Sequence, residues 1–474
     1  MRFSSITLLY VAQTVIANSF VVQLKDSATV AQVLEQDDRL SIASHLRSQV
    51  YKTIKIGKTF EAFVGDFSND AVERMKNNPL IHDILPNLQF SLFDPTTTTL
   101  IGNQTKEDKQ PKTPEDKDQD EGEDDVTDGL QIQKNAPRHL ARLSSRKGLY
   151  ELKTPFKYKY DTTGKDIVAY VIDTGIDIKH PEFEGRAIKG ASFVNESDGD
   201  LNGHGTHVSG IIGSKTYGVA KDVELVEVKV INQQGSGDLT SILEGIQWAV
   251  NDRQKRKVKA VANMSLGAFF SGILNDAVNA AFETGLVIVS AAGNSNARAS
   301  MFSPASAEHS LTVGALDDRT DTIAVFSNYG DRVHVFASGV EVESLDIKNY
   351  DKPVLMSGTS MASPVVAGLV ATLLEKGIKP EQMTDKVISL STEGIINMSK
   401  LSNWKYRNTP NRIAFNGAGE KDAFLKKEPF AASPYDQDSG LLKYINDLSS
   451  IQPKDKVSID LIERSTKIHG VKFF

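Results

Sequence analysis

The chain has 474 residues, enough to bury a full core and to hold more than one structural unit. Its 54 lysines and arginines stand against 61 aspartates and glutamates, a net charge of -7 with no basic stripe, which argues against a nucleic-acid partner. It contains no cysteine, so thiol catalysis, thiolate metal sites and disulfides are excluded.

Arg2, an apolar run over 6–16 and a small-residue exit at Ala17 read as a secretory signal peptide covering residues 1–17. A buried amino-terminal strand is the alternative. The run is too short, and too interrupted by Gln13 and Thr14, for a membrane span, and no later stretch is long enough for one. Residues 18–93 carry the pattern of a small α+β unit, with strands expected over 20–24, 60–67 and 81–90 and helices over 28–51 and 70–76. Residues 94–130 are rich in Thr, Lys, Asp, Glu and Gln, with almost no apolar residue before Leu130. Such a stretch cannot bury enough surface to fold and reads as an acidic disordered linker, an interaction tail being the alternative.

From Lys165 short β-rich apolar runs alternate with helical ones. Strands are expected over 166–172, 223–230, 260–264, 286–290 and 310–313, and helices over 239–252, 273–284 and 360–375. This alternation implies an α/β fold, a doubly wound and mostly parallel sheet with helices on both faces. Ligands then bind beyond the carboxyl ends of the strands. The pattern fades near Gly417, which bounds a domain over 131–417, and residues 418–474 form a polar tail with apolar islands such as 441–445.

Four polar residues fall at such ends or beside glycines. Asp173 closes the first strand in Val171-Ile172-Asp173-Thr174-Gly175. His204 stands between glycines in Asn202-Gly203-His204-Gly205-Thr206-His207, where a backbone can approach closely. Asn294 follows a strand in Ala291-Ala292-Gly293-Asn294, placing an amide donor where an oxyanion could develop. Ser360 opens a helix in Ser357-Gly358-Thr359-Ser360-Met361-Ala362-Ser363-Pro364, with backbone N–H groups at the helix start. Each alone also reads as a turn or capping residue. A metal pair of His204 with His207 lacks an acidic third ligand and the glutamate of a zinc peptidase motif, so no metal is expected.

In chain order these are Asp, His, Asn and Ser. Asp-Thr-Gly, His-Gly-Thr-His and Gly-Thr-Ser-Met-Ala together resemble the signatures of the subtilisin-like serine proteases (peptidase S8), over roughly residues 135–417. The chain is similar to the proteinase K branch, near the fungal vacuolar (cerevisin-like) and sporulation-linked enzymes. The resemblance implies a serine endopeptidase with a Ser360–His204–Asp173 triad and an oxyanion hole at Asn294. It implies that Gly235-Ser236-Gly237 and Ser265-Leu266-Gly267 are edge strands pairing with a peptide substrate. Ala291 and Gly293 would line an apolar, undemanding pocket for the residue before the cut. Residues 18–93 are similar to the family's propeptide, an intramolecular inhibitor, with 60–67 as its central strand. Aligning Ala136-Pro137 with the branch's mature start puts an autoprocessing cut at Leu130-Gln131.

The branch usually carries an aspartate that helps hold calcium where this chain has His334, so a calcium cofactor is not expected there. Ala268-Phe269-Phe270 replaces the usual glycines after Ser-Leu-Gly and narrows the expected groove. Asn103, Asn195 and Asn397 open sequons and are glycosylation candidates, whereas the Asn263 sequon lies in an expected core strand. The implied protein acts as a monomer on protein or peptide substrates, in the secretory pathway and then outside the cell, in the vacuole or in the spore or cell wall. The contrasting reading is a catalytically idle homologue with a structural or peptide-binding role. A lipase is excluded by the absent Gly-x-Ser-x-Gly.

Overall fold

The computed structural model describes residues 19–26, 28–36, 48–92, 129–397 and 406–420. The readings placed on 1–17, on most of 94–130, on Asn103 and on the tail from 421 lie outside the described residues.

In the amino-terminal part β1 (Ser19–Leu24), β2 (Val50–Ile56), β3 (Phe60–Asp66) and β4 (Ile81–Pro86) form an antiparallel sheet in the order β2-β3-β1-β4. Side chains alternate between its faces. Val22, Leu24, Phe63 and Phe67 pack with Val33 and with Ala71, Val72 and Met75, from the helices Val30–Gln36 and Asn69–Lys76. Val21, Ile54, Ile56, Ala62 and Val64 face the other way and join the core of the following region. The expected central strand is interior, as β3.

The helix expected over 28–51 is corrected. Its first part is helix Val30–Gln36, residues 37–47 lie outside the described residues, and Val50–Ile56 is strand β2. Ile54 and Ile56 are buried while Thr53 and Lys55 are exposed, a period of two that only a strand satisfies. The single strand expected over 81–90 divides at Pro86. There β4 ends, and β5 (Gln89–Leu92) leaves for a different sheet. Proline has no N–H with which to continue a ladder.

In the following region β6 (Gln131–Lys134) pairs with β7 (Lys157–Tyr160). The strands that follow are β8 (Ile167–Asp173), β9 (Ala187–Ser192), β10 (Glu224–Lys229), β11 (Ser236–Asp238), β12 (Lys259–Met264), β13 (Leu266–Phe269) and β14 (Val287–Ala291). Then come β15 (Phe302–Ser303), β16 (Ser310–Asp317), β17 (Thr322–Ile323), β18 (Val335–Ser338), β19 (Val342–Ser344), β20 (Val354–Met356), β21 (Thr392–Glu393) and β22 (Arg412–Ile413). The central sheet runs β21-β22-β18-β16-β14-β12-β8-β10-β9, with β17 on β16, and is parallel from β22 to β9.

Every residue of β8 is buried, as a strand covered on both faces requires. Val168, Tyr170 and Ile172 pack under the helices Leu239–Arg256 and Gly272–Glu283. On the opposite face the helices His204–Gly213 and Thr359–Glu375 pack against each other and against β8. This is the doubly wound α/β fold expected. Among the described residues, no helix is long and apolar enough to cross a membrane.

Candidate active site

Asp173 ends β8 at the carboxyl edge of the sheet and is fully buried. Its Oδ1 lies 2.7 Å from His204 Nδ1 and also accepts the Thr174 N–H at 2.7 Å. His204 begins its helix directly after Gly203, and Gly205 is where close approach matters. A methyl group on Gly205 would lie 2.1 Å from the Gly175 carbonyl oxygen, so any side chain there would push the histidine helix off the aspartate strand.

Asp200 clamps the two segments together. Its Oδ1 accepts from the Thr174 hydroxyl at 2.9 Å and from the Asn202 and Gly203 N–H groups at 3.0 and 2.9 Å. Its Oδ2 accepts from the Thr206 N–H and hydroxyl at 2.8 and 2.7 Å. The Thr174 hydroxyl in turn accepts from the Gly205 N–H at 2.8 Å. Lys229, fully buried on β10, donates to the Thr174 carbonyl and pairs with Glu196 at 2.7 Å. Sequence reading missed both residues. The signal for Asp200 was there to read, an Asp followed two and three residues later by Asn and Gly, which is the pattern of a side chain capping its own turn.

Ser360 is the second residue of the central helix, and Pro364 explains how it is tied down. Proline lacks the N–H that would bond the carbonyl four residues back, which is that of Ser360. The Ser265 hydroxyl supplies the missing donor to the Ser360 oxygen at 2.9 Å. Asn263 Nδ2 donates to Ser265 Oγ at 2.9 Å, and Ser363 Oγ donates to Asn263 Oδ1 at 2.7 Å, so the helix start is anchored in β12. Asn263 is fully buried in β12, the core strand expected around that sequon.

Asn294 Oδ1 accepts from the Thr359 N–H and hydroxyl at 2.9 and 2.8 Å, which leaves Nδ2 as the donor on the Ser360 side. A methyl group on Gly358 would sit 3.1 Å from that nitrogen and 3.7 Å from Ser360 Cβ. Ala291 ends β14 and is fully buried, and the Gly293 N–H donates to the Thr359 hydroxyl at 3.0 Å.

The two expected groove walls are β11, entered from Gly235, and β13, entered from Ser265. Between them lies β5, in the sheet order β11-β5-β13-β15. Ser236, Gly237 and Asp238 pair antiparallel with Ser91, Phe90 and Gln89, while Leu266 and Gly267 pair antiparallel with Leu92 and Ser91. The Leu92 N–H donates to Gly235 O at 3.0 Å. A methyl group on Gly235 would lie 3.5 Å from Leu92 and 3.9 Å from Asn202, two residues before His204. Phe90 is buried in the core cluster with Leu239, Ile242 and Leu266.

Other sequence-named residues stand apart. His207 Nε2 lies 3.1 Å from both the Val342 and Val354 carbonyls, and burial pulls its pKa down to about 3, so it is a neutral clip on β19 and β20. Gln131 pairs with Tyr160, and Leu130 just before it lies outside the groove sheet. Asn195 and Asn397 are exposed. At the position where the resemblance implies a calcium carboxylate, His334 Nδ1 accepts the Thr312 N–H at 3.0 Å. Burial, with Arg332 and Arg412 nearby, pulls its pKa down to about 4. A neutral imidazole whose Nδ1 is already taken does not fit a hard cation. Among the described residues no group of three His, Asp or Glu is arranged to hold a metal.

The family model Peptidase_S8, the subtilase family, matches residues 164–409. The chain is 40% identical over 428 residues to the subtilase-type proteinase RRT12 of Saccharomyces cerevisiae, covering 87% of this chain and 85% of that protein. It is 36% identical over 414 residues to an alkaline proteinase of Hapsidospora chrysogena, covering 85% and 93%. A crystal structure of a cold adapted subtilisin-like serine proteinase aligns at TM-score 0.53 and 38% identity, over 60% of this chain and 98% of that one. The chain belongs to the subtilase family and is a subtilisin-like serine protease.

Proposed function

We propose that this endopeptidase works through Ser360, His204 and Asp173. Ser360 attacks the scissile carbonyl, and His204 takes its proton and later returns it to the leaving amine. Asp173, on Nδ1, fixes the tautomer and stabilises the imidazolium. The Asn294 amide and the Ser360 N–H bind the oxyanion, helped by the positive end of the Thr359–Glu375 helix. The observation that carries the reading is the buried 2.7 Å Asp173–His204 contact, placed at the end of a groove threaded by an extended strand of the same chain. Gly235, Ser236, Gly237, Ser265, Leu266 and Gly267 pair with the substrate backbone, and Ala291 and Gly293 wall an apolar pocket for the residue before the cut.

The chain is a secretory preproprotein in this reading, with residues 1–17 its signal peptide and 18–93 its inhibitory propeptide. The placement of β5 in the groove supports the inhibitory role and an early cut in cis just beyond Leu92. Leu130-Gln131, outside the groove sheet, is then the later cut that sets the mature start of the 131–417 domain. Its working place is extracellular, vacuolar or in the spore or cell wall.

The test compares wild type with Ser360→Ala. Wild type is expected to shorten at both places and to react with a fluorophosphonate probe, while the variant stays intact and unlabelled. A variant that still processes itself when purified alone overturns the assignment.

A further inference from the structure

We propose that Phe269, backed by Phe270 and Met301, forms an extended subsite for a large apolar side chain of the substrate, at the place Gln89 occupies in the groove. The proposal rests on reading the β5 groove as the substrate groove. The register carries it. Leu266 and Gly267 pair with Leu92 and Ser91, where the ladder ends, and that register continued two steps further would set Phe269 opposite Gln89. Opposed residues of an antiparallel pair share a face. The alternation agrees, since Phe90 is buried and its opposite, Ala268, packs against the same core cluster. Ser91 and Gln89 are exposed on the other face, which Phe269 shares.

What stands on that face is unusually apolar. Phe269, Phe270 and Met301 are 50%, 59% and 51% exposed even with the amino-terminal unit docked. Among the described residues no other two consecutive large apolar side chains are this exposed. The platform is also held in place. Phe269 stacks on Phe302 at 5.4 Å and 21°, β13 pairs with β15, and the Phe270 N–H donates to Met301 O at 2.9 Å. A contiguous apolar patch beside a peptide groove marks a contact surface, and a rigid aromatic with a methionine beside it takes an aromatic or aliphatic partner. Gln89 is polar, so a substrate with an apolar residue there gains an apolar contact that a glutamine does not supply.

The experiment uses the self-processed wild-type enzyme and anilide peptides Leu-Xaa-Phe-Ser-Leu-Phe, copying residues 88–93 with Xaa at the Gln89 place. With Xaa as Phe or Leu, kcat/KM is expected to exceed that of the Gln peptide by about five-fold, chiefly through KM, and the Asp peptide to fall below it. In Phe269→Ser the Phe-to-Gln ratio is expected to drop to about one. Because the ratio is taken within one enzyme, any overall loss of activity cancels. A flat series in wild type overturns the proposal whatever the variant does, and so does a ratio that survives in Phe269→Ser. No hydrolysis of any peptide overturns the protease reading itself.

Discussion

Ser265 and Ser360 hold each other reciprocally. The Ser265 hydroxyl donates to the Ser360 carbonyl at 2.9 Å, and the Ser360 hydroxyl donates to the Ser265 carbonyl at 3.2 Å. Ser265→Ala strands a buried carbonyl that Pro364 cannot satisfy, at a cost of about 1–3 kcal/mol. The expected result is a fall of about ten-fold in kcat, read on a chromogenic peptide, with a matching loss in denaturant midpoint. Unchanged kcat would mean that the Ser360 carbonyl finds another donor.

Asn294 should matter more than the residue that aims it. Asn294→Ala is expected to lower kcat by about 10²–10³, the range known for the corresponding donor in subtilisin. Thr359→Val removes one of the two bonds on Asn294 Oδ1 and the acceptor for the Gly293 N–H, and a loss of about ten-fold is expected, with KM nearly unchanged. The pair of kcat values measured at one pH is the check.

Asp200→Asn turns a carboxylate surrounded by five donors into an amide with only one accepting oxygen. At least one N–H then meets another donor, and about 3 kcal/mol of stability should disappear. Urea unfolding in the Ser360→Ala background, which cannot digest itself, measures it. The active enzyme should lose kcat as well, because the same bonds hold His204 against Asp173.

Acid lability should follow from two fully buried histidines. Burial lowers His139 to about 4 and His207 to about 3, both below the usual 6.5. The unfolded chain therefore binds more protons than the folded one through the interval from about 6.5 down to those values. Stability is full above pH 6.5 and falls as the pH drops through that interval, by up to about 3 kcal/mol per pH unit for these two protons, and His334, also lowered to about 4, steepens the fall. Unfolding free energies at pH 7.5, 6 and 5 test this, and His139→Gln, whose amide can still reach the Tyr217 carbonyl, should reduce the slope by about a third.

A chelator should leave the unfolding midpoint of the wild type where it is, since His334 already serves the Thr312 N–H. His334→Asp restores a carboxylate there, and calcium is expected to raise the midpoint of that variant and not of the wild type. A calcium-dependent shift in the wild type would refute this.

Much of this was legible in the chain. The β8 run, the glycines around His204 and the helix behind Ser360 are local signals, because period, capping and close backbone approach are properties of a few neighbouring residues. They place Asp173, His204, Asn294 and Ser360 at strand ends and helix starts without any knowledge of contacts. The errors came where local signals were ambiguous. The alternation at Ile54 and Ile56 becomes decisive only once β3 lies alongside, and Pro86 divides a strand whose two halves are claimed by different sheets.

What the sequence determined alone was the fold class, the family and the four residues proposed to react, since these are written in short motifs and in periodicity. Only the tertiary structure decided that Asp200 ties Thr174 to the turn before His204, that Ser265 holds Ser360, and that β5 lies between β11 and β13. Each of these is a contact between segments distant along the chain, and such contacts leave no periodic trace in either segment.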